Sequence, residues 1–144
     1  MADSTSDLVR AVRLNRESLR RVDLGAFTGL GTHVLADFHA CQRLPSEPEV
    51  LRQLLEQTAV LLECTVVESV FHAFSPYGLS GVVVVAESHL AVHTWPEQQA
   101  ACVDFFTCSN QMLPLPGLEL LFDVFAALEV TISVVPRGLP AGPI

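Results

Sequence analysis

Residues 65–95 read TVVESVFHAFSPYGLSGVVVVAESHLAVHTW. The runs 65–74 and 82–95 are rich in valine and other strand-forming residues, and SPYGLSG between them carries the proline and glycine of a turn. After a second turn, PEQQ, the run AACVDFFTC at 100–108 continues the strand pattern. Three consecutive strands joined by tight turns predict an antiparallel meander.

Other elements are predicted on both sides of this meander. Strands are predicted at 32–41 and 130–136, and helices at 46–62 and 116–129. The first helix has apolar residues at helical spacing, a cap at Ser46 and Pro48 in its opening turn. The order of elements predicts an α+β fold, a two-layer sandwich whose antiparallel sheet has helices on one face.

The run from Val82 to Val85 bears on the oligomeric state. A sheet with one face in water alternates apolar and polar residues, yet these four positions are all valine. Two helices can cover only one face of the sheet. We therefore expect a second subunit to cover the other face, which predicts a homodimer.

Length and charge narrow the class of protein. The 144 residues suit one domain, and no apolar run approaches the roughly 18 residues of a membrane span. The net charge is −8, and five of the eight arginines fall within the first 31 residues, so the acidic remainder suits neither nucleic acid nor a membrane. We expect residues 1–31 to be a flexible, frayed or weakly helical extension and 32–144 to be the functional domain.

The chain contains no lysine, and its four cysteines form no CxxC pair. The first fact excludes mechanisms that need a lysine amine, such as pyridoxal-phosphate chemistry. The second predicts free thiols in a reducing cytoplasm.

Two enzymatic alternatives can be weighed for the polar residues of 86–95. In a strand, His89 and His93 share a face but stand about 13 Å apart, too far to bind one metal ion. Helical spacing would suit zinc, with Cys102 and Cys108 completing the set, but the density of valine argues against a helix. No metal is therefore expected.

A serine hydrolase would use Ser80 or Ser88 as its nucleophile. The GxSxG signature is absent, because GLSGV places Gly81 one position early. Composition and spacing alone leave a small dimeric α+β domain with an unexplained polar cluster.

A family resemblance explains that cluster. PYGLSGVVVVAESHLAVHTWPE followed by DFFTC resembles the S-adenosylmethionine decarboxylase proenzymes of the bacterial and archaeal type, a pyruvoyl-dependent family of polyamine biosynthesis. The resemblance runs from about Thr32 to Arg137. It rests on Glu-Ser-His, a histidine four positions later, Trp-Pro-Glu and Phe-Thr-Cys in fixed order.

The resemblance implies that the chain cuts itself between Glu87 and Ser88. Ser88 then becomes a pyruvoyl group at the head of residues 88–144, and its carbonyl replaces pyridoxal as the electron sink for decarboxylation. By the same resemblance, His93 assists the elimination step, Ser80 supports processing, and Cys108 is the catalytic acid. The family's dimers share their active sites, with Ser80 and His93 of one subunit near residue 88 and Cys108 of the other.

Phe74 and Glu97 match the family positions that stack on adenine and bind the ribose hydroxyls. The chain departs from the family after Trp-Pro-Glu, where an aromatic residue or histidine and then Gly-Tyr are usual and residues 98–100 are Gln-Gln-Ala. This departure leaves L-arginine or L-ornithine as alternative substrates. A further alternative is an unprocessed, non-catalytic binding partner. His33, His39 and His72 are expected to be structural, and His89 is assigned no role.

Overall fold

The computed structural model describes residues 10–25, 30–108 and 114–138, which form one seven-stranded sheet with three α-helices. The strands are β1 Arg10–Leu14, β2 Gly31–His39, β3 Val66–Ala73, β4 Leu79–Val85, β5 Ser88–Trp95, β6 Ala100–Thr107 and β7 Glu129–Arg137. The helices are α1 Arg16–Leu19, α2 Pro48–Leu61 and α3 Pro114–Val124, and a 3-10 turn spans Pro96–Gln98.

The strand order is β1-β7-β2-β6-β5-β4-β3, and every neighbouring pair is antiparallel. Strand β5 is therefore an inner strand, with β4 on one side and β6 on the other. The predicted meander holds, and it contains four strands rather than three.

Helices α2 and α3 contact each other and the sheet, and the core lies between them and one sheet face. Leu51, Leu55, Phe38 and Phe105 are almost completely buried there. Each such side chain contributes about 1.5–3 kcal/mol by leaving water. The predicted α+β two-layer sandwich is confirmed, while its pairing across a dimer stays a prediction.

Two helix starts differ slightly from the sequence prediction. The N-cap of α2 is Glu47 rather than Ser46, and its side chain makes no capping hydrogen bond; Pro48 is the first helical residue, where its missing N–H costs nothing. Helix α3 begins at Pro114, two residues before the predicted position. Within the described ranges, no helix has the length and apolar character needed to cross a membrane.

The prediction of one long strand over 82–95 was wrong. The chain turns at Ala86 and Glu87, so that β4 and β5 form a hairpin with Val85 paired to Ser88. The sequence there, VAES, contains none of the glycine, proline or asparagine residues that mark tight turns. Strand-forming residues on both sides of the turn concealed it.

Part of the predicted flexible extension is folded. Residues 10–14 form β1, which pairs with β7, and Leu14 and Leu19 are buried in the core. Helix α1 begins after Asn15, whose side chain accepts a hydrogen bond from the Ser18 backbone N–H at 2.9 Å. The expectation of a frayed segment does not hold for residues 10–25, whereas 1–9 and 26–29 lie outside the described residues and the domain division stays a prediction.

An ion pair helps to dock α1. The Arg16 guanidinium donates to Asp123 at 2.7 Å and to Glu119 at 3.2 Å, and both acids belong to α3. Hydrogen bonding to Arg16 lowers the pKa of Asp123, and the same bond raises the pKa of Arg16. The contacts join segments more than one hundred positions apart, which local sequence patterns do not reveal.

The other face of the sheet is open in the single chain. Val83 and Val85 point into the core, while Val82 and Val84 remain 40% and 43% exposed on the opposite face. The run of four valines therefore does face both sides of the sheet, as the sequence indicates, and none of the helices in residues 10–25, 30–108 and 114–138 covers the side of Val82 and Val84.

The buried N-terminal contacts can be tested with Leu19→Ala. We expect this change to lower the free energy of unfolding by about 2–5 kcal/mol, because it leaves a cavity in the core. The measurement is urea denaturation at fixed protein concentration. Leu128→Ala is the matched control, since Leu128 is 62% exposed. Equal stability of the two variants would show that α1 does not pack on the core.

Candidate active site

The β4–β5 turn places unusual backbone geometry on one serine. Ser88 has a φ of 149°, in the region that favours glycine, whereas neither Ala86 nor Glu87 has a positive φ. A conformation of this kind costs a non-glycine residue about 1–3 kcal/mol, and such residues cluster at functional sites. The peptide bond between Glu87 and Ser88 therefore lies at a strained position next to an inner strand.

The Glu87 carbonyl is held by two donors from one residue. The backbone N–H of Cys108 donates to the Glu87 oxygen at 3.0 Å, and its Sγ donates to the same oxygen at 3.1 Å. Paired donors on a carbonyl oxygen can stabilise the negative charge that develops when a nucleophile attacks the carbonyl carbon. The adjacent hydroxyl belongs to Ser88.

A second polar group lies further along the same hairpin. Ser80 and His93 are directly paired across β4 and β5, with Ser80 Oγ 2.7 Å from His93 Nδ1. The Trp95 ring lies 6.1 Å from the His93 ring on the same side of β5. This pair can exchange a proton between hydroxyl and imidazole, which is the arrangement used in general acid and base catalysis.

Phe74 and Glu97 lie at the same end of the hairpin as this pair. Phe74 is 53% exposed and lines a cavity of about 170 Å³ with Tyr77 and Pro96. Glu97 follows Pro96 in the 3-10 turn and is exposed. An exposed aromatic face and a nearby carboxylate can bind a ring and a pair of hydroxyls.

The predicted site residues thus form two groups in one chain. The first group consists of Glu87, Ser88 and Cys108. The second consists of Ser80, His93, Phe74 and Glu97. Ser88 and His93 are five residues apart along β5, about 16 Å at strand spacing, so the two groups do not meet within one chain.

Burial distinguishes Cys108 from the other cysteines. Burial raises the pKa of the Cys41 and Cys64 thiols to about 11 and that of the Cys102 thiol to about 12. Cys108 is exposed at the end of β6. It is therefore the most accessible of the four thiols, since Cys41 is buried and Cys64 and Cys102 are partly buried.

A third cluster lies on the open face beside Ser88. His33 Nε2 lies 2.6 Å from Asp104 Oδ2, and His89 Nε2 lies 3.4 Å from the same oxygen. The ligand atoms of His33, His89 and Asp104 all lie within 4.8 Å of one another. Among the described residues, this is the group that is close enough to hold a metal ion. It differs from the zinc set considered from the sequence.

The surroundings of this cluster favour hydrogen bonds over a metal ion. A metal-bound histidine usually donates its second ring N–H to an acceptor. His33 Nδ1 instead faces the Arg137 guanidinium at 3.5 Å, and arginine can only donate. This arrangement favours the His33 tautomer in which Nε2–H donates to Asp104 and Nδ1 accepts from Arg137.

The remaining histidines have contacts that agree with structural roles. His39 Nε2 lies 2.9 Å from Thr131 Oγ1, and the His72 ring packs edge-on against Phe74 at 4.6 Å. A groove of about 680 Å³ lies elsewhere, beside α2 and lined by Val60, Leu61 and Val66 among others, and no predicted site residue lines it. Its size does not make it the site, because the reactive groups lie on the hairpin.

Comparison with known proteins identifies the family. The sequence profile described as S-adenosylmethionine decarboxylase matches residues 32–138. The chain belongs to the S-adenosylmethionine decarboxylase family. The resemblance that the sequence motifs predict is thereby confirmed.

Relatives of the S-adenosylmethionine decarboxylase family match along most of the chain. An S-adenosylmethionine decarboxylase proenzyme of Acidithiobacillus ferrooxidans is 43% identical over 76% of this chain and 83% of its own. One from Thermotoga maritima is 41% identical over 76% and 85%. The crystal structure of the adenosylmethionine decarboxylase from Aquifex aeolicus has a TM-score of 0.66 and 30% identity, and covers 81% of this chain and 97% of that one.

Sequence reasoning missed the third cluster within this S-adenosylmethionine decarboxylase fold. Asp104 was the available signal, since it is the acid within an otherwise apolar strand run, VDFF. Its link to His33 depends on the pairing of β2 with β6, which joins residues 71 positions apart. The carbonyl contact of Cys108 was also invisible, because it needs both the unmarked turn and the β5–β6 register.

Selective alkylation can test the exposure of Cys108. At about pH 8 a thiol with a pKa near 11 is about one thousandth thiolate, so the three cysteines with raised pKa values should react slowly. We expect iodoacetamide to label Cys108 first, as measured by peptide mass spectrometry over time. Cys108→Ser should lose the fast label. Fast labelling of Cys64 or Cys102 would contradict the burial seen here.

Proposed function

We propose that this chain is a self-cleaving, pyruvoyl-dependent S-adenosylmethionine decarboxylase. Its product would be the aminopropyl donor of polyamine biosynthesis. The observation that carries the proposal is the Glu87 carbonyl, which receives two hydrogen bonds from Cys108 beside a strained Ser88. Its membership of the family supports the same function.

The self-cleavage begins as an acyl shift. Ser88 Oγ attacks the Glu87 carbonyl carbon, the C–N bond breaks, and the hydroxyl proton passes to the Ser88 nitrogen, which converts the amide into an ester. The two Cys108 donors stabilise the oxyanion formed on the way. The shift also removes the peptide that holds Ser88 at its unfavourable φ, which favours the forward direction.

An elimination then completes the cleavage. A base removes the Ser88 α-proton, the Cβ–Oγ bond breaks, and Glu87 leaves as a carboxylate. The remaining dehydroalanine reacts with water and releases ammonia, which leaves a pyruvoyl group on residue 88. We assign the base to His93, whose Nδ1 is oriented by Ser80 and which would reach Ser88 of the other subunit in a homodimer.

The residues present fit a pyruvoyl cofactor. Its precursor hydroxyl and the held carbonyl lie on neighbouring residues, and a chain without lysine has no amine for pyridoxal phosphate. The pyruvoyl carbonyl, once formed, supplies the electron sink for decarboxylation. Cys108 then provides a proton to the substrate carbon from its exposed thiol.

Self-cleavage is the first expected outcome. Purified protein should separate into fragments 1–87 and 88–144, and the second fragment should resist Edman degradation because a pyruvoyl group blocks its first residue. Ser88→Ala should remain one chain. An intact and unmodified wild-type chain after long incubation, as judged by mass spectrometry, would refute the enzyme and favour the non-catalytic binding partner.

We further propose a homodimer with shared active sites. The two residue groups of one chain lie at opposite ends of β5, and the open face holds exposed Val70, Val82 and Val84. Two chains packed through this face about a twofold axis would bring the Ser88 group of each to the His93 group of the other. The same packing would remove the exposed valines from water.

Shared sites predict complementation between two inactive variants. Cys108→Ala and Glu97→Ala each damage both sites of a homodimer. Their heterodimer has one doubly damaged site and one intact site, so the co-expressed mixture should recover roughly a quarter of wild-type decarboxylation if the chains pair at random.

The matched control combines Cys108→Ala with Ser88→Ala. These residues belong to the same group, so every heterodimer site would carry one defect and no activity should return. Absence of recovery in the first mixture, with both chains folded and dimeric, would show that each chain builds its own site.

The turn after Trp-Pro-Glu supports the nucleoside substrate. Gln99 occupies the position where the family usually has glycine, and it adopts a φ of 50° in the left-handed region. Its carbonyl accepts a hydrogen bond from the Cys41 backbone N–H at 2.8 Å. The turn that carries Glu97 therefore forms without the glycine, at a modest cost in strain.

Substrate choice can be measured directly. We expect processed enzyme to release labelled carbon dioxide from carboxyl-labelled S-adenosylmethionine, and not from ornithine or arginine offered separately. Phe74→Ala should raise the KM by about tenfold, because it removes a stacking face worth about 1–3 kcal/mol. If labelled carbon dioxide came only from arginine or ornithine, that amino acid would be the substrate instead of S-adenosylmethionine. The proposed pyruvoyl cofactor would be unaffected.

The state of the cysteines bears on where in the cell the protein works. Free thiols at all four cysteines suit the reducing cytoplasm, where disulfides are rare, and we place the protein there.

A further inference from the structure

Thr65 makes three contacts with the turn that precedes the cleavage site. It connects α2 to β3, and its carbonyl accepts a hydrogen bond from the Ala86 N–H at 2.9 Å. Its own N–H donates to Glu87 Oε2 at 3.0 Å. Its hydroxyl lies 3.5 Å from Glu87 Oε1.

The contacts to the Glu87 carboxylate are additional to the strand ladder. Val66 and Val85 are the last pair of β3 and β4, and the Ala86 to Thr65 bond extends that ladder by one step. In addition, the Thr65 backbone N–H donates to the Glu87 carboxylate. Such a charge-assisted hydrogen bond is stronger than a neutral one. It turns the Glu87 side chain back towards β3.

Glu87 is therefore held from two sides. Its side chain is bound at β3 by Thr65, and its carbonyl oxygen is bound at the end of β6 by Cys108. With both ends fixed, the Glu87 peptide plane has little freedom to rotate. The chain must then enter β5 by rotation about the Ser88 N–Cα bond, and this torsion is the φ of 149°.

We infer that Thr65 is a positioning residue for self-cleavage, acting through the Glu87 carboxylate. This inference rests on the proposed self-cleavage. The Thr65 N–H keeps the Glu87 carbonyl directed at the Cys108 donors and so maintains the geometry in which Ser88 Oγ attacks. The role belongs to the hydrogen bond between the Thr65 amide and the Glu87 side-chain oxygen, which the negative charge strengthens but which a neutral oxygen acceptor can also make.

Two substitutions of Glu87 separate position from charge. Glu87→Ala removes the acceptor, and we expect cleavage about tenfold slower or worse, in line with the loss of a hydrogen bond to a charged group. Glu87→Gln keeps an oxygen that can accept from Thr65, so it should recover most of that loss and cleave at least about fivefold faster than Glu87→Ala. The measurement is the rate at which newly purified intact chain converts to its fragments.

Two substitutions of Thr65 test the other partner. Thr65→Pro deletes the N–H, whereas Thr65→Ala keeps it, so the alanine variant should cleave at least about fivefold faster than the proline variant. The double variant Thr65→Pro, Glu87→Ala should cleave no slower than the slower single variant, because both changes break one bond. If Thr65→Pro instead slowed cleavage through a general disturbance of the fold, its effect on the rate would add to that of Glu87→Ala in the double variant.

The outcomes distinguish this inference from the proposed function. If wild-type protein stays intact, self-cleavage is refuted and the role of Thr65 with it. If wild-type protein cleaves and Glu87→Ala cleaves equally fast, only the role of Thr65 is refuted. Equal slowing by Glu87→Ala and Glu87→Gln would also overturn it, since the charge would then be what matters. The Glu87 pair decides the question even if Thr65→Pro fails to fold.

Discussion

The peptide bond between Glu87 and Ser88 is constrained because a two-residue turn leads directly into an inner strand. Ser88 is paired with Val85 on one side and Thr107 on the other, so its backbone cannot shift to relieve the φ of 149°. Glycine would relieve that strain, but it has no hydroxyl for attack on the preceding carbonyl. The chain retains serine at a cost of about 1–3 kcal/mol, which burial of a few core side chains exceeds. Fold stability thus maintains a local geometry that a free hairpin would not keep.

The same sheet explains why the reactive groups separate. Its helical face is filled by side chains such as Leu90, Val92 and Phe105, all almost completely buried. The polar side chains of the candidate site lie on the open face and at the strand ends. Ser88 and Cys108 occupy one end of the β5–β6 pair, and the Ser80–His93 pair lies five positions along β5. In the proposed twofold dimer the two chains run in opposite directions across the interface. The Ser88 end of one chain then meets the His93 end of the other.

Sequence patterns predicted the elements whose signals are local. Valine-rich runs and the SPYG turn predicted most of the meander, and the spacing of leucines predicted α2. The break at Ala86 and Glu87 was missed because the turn depends on hydrogen bonds from distant Thr65 and Cys108 rather than on turn-forming residues. The folding of residues 10–25 was missed for the same kind of reason, since it depends on the buried leucines and on ion pairs to α3. Within the site, motif resemblance named the candidate residues, whose roles stay predictions, while the pairing of Ser80 with His93 required the β4–β5 register.

Cys108 illustrates how one residue can serve two successive reactions. Its backbone N–H and its thiol both bind the Glu87 carbonyl in the intact chain. The backbone donor survives any substitution other than proline, so it can support cleavage whatever the side chain is. Cleavage as proposed detaches Glu87 from residue 88, and the thiol then loses the acceptor that it shares with the backbone. In the proposed mechanism the released thiol would lie beside the new carbonyl at residue 88 and could donate its proton to a substrate carbon. Self-cleavage would thus both create the cofactor and free the acid that works with it, which links the two activities through a single carbonyl oxygen.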